Sequence, residues 1–497
     1  MNIKYRFFFV GLIALLFSSC QLPKQTKIDI KYIVTPDFDR KSLDIEFSKK
    51  APSNGKLKLL FENESMGETD LFNCLRNFKV TPIAKQIKFV KDSSYIEIEG
   101  LANQEYTINY SIVKDYKHPP INQKRYRPII DSTYFHVLGT KLFMYPSDLF
   151  SDQSTKTPIQ IQWNFKSEND LFHSSFGYGK MQSLNISLDE LHNSFFVGGD
   201  FRRYTFDYKK KPIHFVTRGK WKFINDEDIL RILKQTINNQ HTFWNDTINK
   251  TFSVSLIPTY EENSYSVGGS SLTSSFISYA SNNRGTTKDK MAWLYNHELM
   301  HKWIARTIQV KEDVVYYWFS EGFTDYYTYK LMLKNDILTL GDFIKKVNSR
   351  VLIPHLTDKV ATKPNGELTF QKYWSNYDLY GKLPYRRGFL YAFLLDHQIK
   401  RKTNFSKSLD DVMFRFHKKA KMDKNFRIDD TIFTNVLSLY LDQESVNKDF
   451  EKYIQLGEII NFEKHLFKGM YIKKTHEAYI FEVNPAQKTK LLHKLKI

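Results

Sequence analysis

Apolar residues in this chain recur with period two through one long stretch and with helical period through another, which calls for segregated strands and helices. Leu43-Asp44-Ile45-Glu46-Phe47, Tyr95-Ile96-Glu97-Ile98-Glu99 and Ile159-Gln160-Ile161-Gln162-Trp163 alternate as half-buried strands do. Clusters such as Pro52-Ser53-Asn54-Gly55 punctuate them as turns. The pattern changes near residue 216. Lys220-Trp221-Lys222-Phe223 is strand-like, and Asn225 is an N-cap for a helix to about 244. Phe252 to Ile257 is strand-like again, and Ser271 to Tyr279 reads as an edge strand. From about 286 to 456 helical spacing dominates, with Ser408 and Asp411 forming a capping signal. The fold class expected is α+β: a β-sandwich-like domain over 31–215, then a mainly helical domain over 216–456. The last forty-one residues, 457–497, return to strand-like alternation and read as a short extension.

The N-terminus makes an address. Lys4 and Arg6 precede an apolar run from Phe7 to Phe17, then Ser18, Ser19 and Cys20. Charge, length and small-residue exit fit a secretory signal over 1–19; the run is shorter than the roughly 20 residues that span a bilayer. Leu16-Phe17-Ser18-Ser19-Cys20 resembles a bacterial lipobox, which makes Cys20 the lipidated residue and 20–30 a polar tether. The expected location is the bacterial cell envelope, exported and lipid-anchored to a membrane. The chain has 2 cysteines, so lipidation of Cys20 leaves Cys74 without a disulfide partner. The formal charge of +19 is spread along the chain, with no long basic arm, and this argues against a nucleic-acid partner. His136, His173 and His214 stand alone in the strand-rich part and carry no constellation.

One does occur at His297-Glu298-Leu299-Met300-His301, inside a helix expected over 288–307. Histidines four apart project from one helix face and can bind a single Zn²⁺. Glu298, next to the first, can face a water without occupying the metal. Trp318-Phe319-Ser320-Glu321-Gly322-Phe323-Thr324-Asp325-Tyr326-Tyr327 follows as another helix. Glu321 would be the third protein ligand, and two His plus one Glu leave a fourth position open, as catalytic zinc sites do. Asp325 shares the face of Glu321 and could accept the second ring N–H of His297.

These two motifs resemble those of the gluzincin metallopeptidases, most closely the glycyl aminopeptidase family, over about residues 31 to 456. The resemblance implies a thermolysin-like catalytic domain, one zinc ion on His297, His301 and Glu321, Glu298 as general base, and a peptide or protein substrate. It also points to Pro384-Tyr385-Arg386-Arg387-Gly388, similar to a Pro-Tyr-x-x-Gly segment whose tyrosine stabilises the oxyanion; Tyr377 and Tyr380 compete with Tyr385. Related aminopeptidases hold the substrate amine with the Glu of a Gly-x-Met-Glu-Asn strand. The matching region here, Gly268-Gly269-Ser270-Ser271-Leu272, has no Glu, although Gly268 and Gly269 would let a substrate backbone lie close. Forty-one residues are also too few for the C-terminal PDZ domain common in that family. The expectation is thus a zinc-dependent peptidase, with aminopeptidase action less supported. The alternatives are an inactive surface-anchored binding protein or a zinc hydrolase of a non-peptide bond.

Overall fold

The computed structural model describes residues 28–496 apart from Met66, 150–154, Asn249, Glu262, 312–313 and Glu477. The signal segment, Cys20 and nearly all of the tether lie outside the described residues. Strand Ile30–Asp37 opens a six-stranded sheet, pairing antiparallel with Ser42–Lys50 and parallel with Thr157–Trp163. Two four-stranded sheets complete the β-rich domain. The alternation is used as expected: Ile159, Ile161 and Trp163 are buried, as are Ile96 and Ile98. Cys74 is a buried free thiol.

The second, mainly helical domain begins earlier than expected. Strands Arg202–Tyr208 and Lys211–Thr217 belong to its five-stranded sheet, followed by Phe252–Thr259, Ser275–Ser281 and, at the edge, Val267–Leu272. The seam therefore falls near residue 200, not 215. Period-two alternation reports that a segment is a strand but not which sheet it joins, so the pair at 202–217 read as β-domain sequence. Asn225 caps helix Asp226–Phe243 through its side chain, whereas Lys220-Trp221-Lys222-Phe223 forms no strand. The edge strand is Val267–Leu272, a hairpin away from Ser275–Ser281, so the segment expected as one strand is split by a turn.

The lone histidines sit at the seam. His136 Nε2 lies 3.0 Å from Ser255 Oγ, and His173 Nε2 lies 2.9 Å from Ser253 Oγ, both serines on the central strand of the five-stranded sheet. Burial pushes His136 down to about 3, so it stays neutral and packs as a polar core residue.

The C-terminal residues are not a separable extension. Hairpin Met470–Lys474 and Tyr479–Val483 and helix Lys488–Lys496 bury Phe481, Leu491 and Leu495 in the main core of the second domain. Asn348 ties the hairpin down: its amide donates to the Phe481 carbonyl (2.8 Å) and its side-chain oxygen accepts from the Phe481 N–H (2.9 Å). No described helix is long and apolar enough to cross a membrane.

Candidate metal centre and active site

The motif helix, Lys288–Met300, is capped by the Thr287 hydroxyl and buried along most of its length. It stops at His301 rather than continuing to 307. Ala305 adopts φ 92°, and the Arg306 N–H turns back to the His301 carbonyl at 3.1 Å. No Gly or Pro marks that stop, so helical periodicity ran past it. His297 and His301 lie one turn apart, rings perpendicular at 89° and centroids 4.7 Å apart.

Glu321 enters from a wide π-helical turn, Trp318–Phe323, that continues into helix Thr324–Lys334. Such turns interrupt an α-helix at functional positions. Here the turn brings the Glu321 Oε2 to 3.3 Å from His297 Nε2 and 3.5 Å from His301 Nε2, while the two Nε2 atoms are 3.1 Å apart. A tetrahedral zinc with bonds of about 2.0–2.1 Å holds its ligand atoms roughly 3.3 Å from one another. The donor set fits zinc on a second count. Glu321 Oε2 is buried without a hydrogen bond, a cost that a bound cation removes.

The outer nitrogens are held. His297 Nδ1 donates to Asp325 Oδ1 at 2.9 Å, and Trp293 Nε1 donates to the same oxygen at 3.2 Å. His301 Nδ1 lies 3.3 Å from the Ile304 carbonyl. Both rings thereby turn Nε2 toward Glu321. Burial acts to lower His297, but the Asp325 hydrogen bond and the Glu321 carboxylate raise it to about 10. Burial acts to raise Glu321, but the histidines pull its carboxyl well below the ordinary range. Burial raises the Glu298 carboxyl and the Glu321 carboxylate adds to it, with His297, His301 and Arg125 offsetting only part.

Glu298 lies against the edge strand. A Cβ on Gly269 would come within 2.9 Å of the Glu298 carboxyl carbon, so any side chain there would displace it. A Cβ on Gly268 would come within 2.7 Å of Arg125 Nη1. The strand's outward carbonyls are already occupied: Tyr126 donates to Gly269 O at 2.6 Å, and Arg306 donates to Ser271 O at 2.5 Å. A residue's N–H and C=O point the same way in an antiparallel strand, so the Gly269 and Ser271 N–H groups also point outward from this sheet edge.

Tyr385 stands opposite, on helix Leu383–Lys402. Its ring is stacked 6.1 Å from that of His297, and burial with the nearby Glu321 carboxylate holds its phenol well above the ordinary value. Tyr377 is 41% exposed and stacks on Trp374, and the Tyr380 ring lies under Lys372. The placement of Tyr385 depends on two glycines. A Cβ on Gly322 would meet Gly388 Cα at 2.4 Å, and one on Gly388 would meet the Trp318 carbonyl oxygen at 1.7 Å. The helices carrying Glu321 and Tyr385 can touch only because both lack side chains there.

Arg125, Tyr126 and Arg306 were not anticipated from the sequence. The first two come from the β-rich domain, more than a hundred residues from the edge strand they touch, and no local pattern marks them.

Residues 257–445 match the peptidase family M1 domain. No curated protein matches the chain in sequence. An aminopeptidase N family protein from Idiomarina loihiensis superposes with a TM-score of 0.74 at 15% identity, covering 90% of this chain and 79% of that one. A mutant M1 zinc metallopeptidase from Deinococcus radiodurans, bound to a Tyr-Ser-Ala substrate, gives a TM-score of 0.50 at 12% identity, covering 87% of this chain and 94% of that one. The gluzincin resemblance holds, with M1 as the matching family where the glycyl aminopeptidase family was expected, and so does the α+β architecture of a β-rich domain followed by a helical one.

Proposed function

We propose, from the premise that this chain is a zinc metallopeptidase with a peptidase family M1 domain, that it hydrolyses short peptides from the amino end. The observation that supports hydrolysis most is Glu298, a buried carboxylate next to His297 of the donor cluster and against Gly269 of the edge strand; the amino-end reading rests on the likeness to an aminopeptidase N family protein. Zinc held by that cluster supplies the Lewis acidity that activates water and polarises the scissile carbonyl. Glu298 takes the proton from the attacking water and passes it to the leaving amine. The Tyr385 hydroxyl, kept protonated, donates to the developing oxyanion. Asp325 fixes the His297 ring. The Gly269 and Ser271 N–H groups bind the peptide in extended form.

Purified protein is expected to carry one zinc per chain, to lose hydrolysis on chelation and to regain it with zinc. Free-amine peptides should shorten one residue at a time, whereas N-acetylated ones should resist. Internal cleavage of acetylated peptides at equal rate would make the protein an endopeptidase.

Lipid anchoring of the exported protein at Cys20 in the bacterial envelope belongs to the same proposal and rests on the first twenty residues of the sequence. A radioactive fatty acid is expected to label the wild type and not Cys20→Ala. Equal labelling would remove the anchor.

A further inference from the structure

Beside the metal centre lies a pocket of about 420 Å³ whose charge the catalytic chemistry does not use. Its walls include the start of the edge strand (Tyr265 to Val267), the first turns of the motif helix, and Asp325 and Tyr385, which adjoin His297. It is therefore continuous with the reaction site. Five of its sixteen lining residues are cationic and two, Asp289 and Asp325, are acidic.

The charges do not cancel locally. Lys346 pairs with Asp289 at 3.3 Å, and Arg386 with Asp358 at 2.8 Å. Asp325 is engaged by His297 and Trp293. That leaves Lys290, Arg350 and Lys382 with no carboxylate partner among the described residues. Lys290 Nζ donates to the Gly285 carbonyl (2.7 Å) and sits 3.4 Å from the Tyr265 ring centroid; Lys382 sits 4.2 Å from that of Tyr385. Arg350 makes no ion pair or hydrogen bond among the described residues. The Tyr265 phenol is lowered, by the adjacent Lys290 first and by Arg350 after it. Arg350 and Lys382 are exposed and Lys290 is half-buried, and unpaired cations around a concave wall attract anions.

We propose that this pocket recognises a carboxylate on the part of the substrate lying toward Val267, and so makes the enzyme selective for anionic peptides. The carboxylate has two sources, the C-terminus of a short peptide or an acidic side chain. The proposal deepens the peptidase reading and rests on it for turnover, but not for binding.

Zinc-loaded full-length protein is tested on two substrate pairs: Leu-Ala-Ala as free acid and as amide, and Leu-Asp-Ala-amide with Leu-Asn-Ala-amide. The anionic member of at least one pair is expected to have a kcat/KM roughly tenfold higher. The first pair reports the terminal carboxylate and the second the side chain. The preference should shrink as salt is raised. In Arg350→Gln with Lys290→Gln it should fall to within about threefold, with the neutral peptides cleaved as by wild type. Calorimetric binding of the same peptides to zinc-loaded Glu298→Gln gives a readout without turnover. Hydrolysis without charge preference overturns the pocket alone. Tighter binding of the acids with no hydrolysis of any peptide overturns the peptidase reading and leaves the pocket standing. A preference that survives the double substitution, or no binding of any peptide, overturns the pocket.

Discussion

Glu298→Gln is expected to keep its zinc and its fold and to lose roughly a thousandfold or more in kcat/KM, within the range of about 10²–10⁴ that a positioned proton-transfer group contributes. The three donor side chains are untouched by the change, and the substituted amide has the shape of the carboxylate. The fold gains nothing from the charge. Glu298 makes no hydrogen bond or ion pair among the described residues, is 6% exposed, and has its carboxyl raised by burial. A buried carboxylate without a partner is an expense a structural residue would not carry, so replacing it should leave the melting temperature unchanged or slightly higher. Zinc content, a thermal melt and peptide hydrolysis on one preparation test all three statements. Turnover near the wild-type level in a zinc-replete sample would remove Glu298 from the base role. A matching loss of zinc would instead make it part of the metal site.

The donor cluster was legible because its spacing is local. His297 and His301 are separated by one helical turn, and Glu321 and Asp325 by another, so periodicity alone put each pair on a face. What local spacing could not carry was how those faces meet. Gly322 and Gly388 belong to different helices, and their mutual approach, which sets Tyr385 beside His297, is a property of the pair. The same holds for Tyr126 reaching Gly269 across the domain seam, and for Lys290, Arg350 and Lys382, which lie far apart in sequence and share a wall only after folding. The helix end at His301 was missed for another reason: Ala305 occupies a left-handed conformation that Gly or Asn would have advertised. The seam near residue 200 was hidden because alternation in 202–217 is the same whichever sheet receives the strands.

Lys330→Met is expected to lower the melting transition of the catalytic domain by on the order of 10 °C, because it unbalances a charge cluster in the domain core. Lys330 lies on the helix that follows Glu321, and its Nζ contacts Asp396 Oδ1 at 3.2 Å and Asp410 Oδ1 at 2.6 Å. Asp396 also accepts from Tyr326 (2.7 Å), the Leu409 N–H (3.0 Å) and Lys400 (2.8 Å). All four charged side chains are buried, two positive and two negative. Burial acts to lower Lys330, but Asp396 and Asp410 outweigh it and hold the lysine above its ordinary value. Methionine fills much the same space and leaves two carboxylates facing one lysine. Removing one partner of a buried pair typically costs about 3–5 kcal/mol, since the remaining charge keeps its desolvation penalty, and at about 2–4 °C per kcal/mol this gives the stated shift. Lys407→Met, at the exposed Lys407–Asp411 pair (2.9 Å), is the control, and should move the transition by no more than about a degree. Lys330 also joins the helix of Glu321 and Asp325 to the helix of Tyr385, so zinc affinity should weaken along with the melt. A Lys330→Met protein melting within about 2 °C of wild type would show that the two carboxylates can protonate or hydrate in place, and that the glycine contact alone holds these helices together.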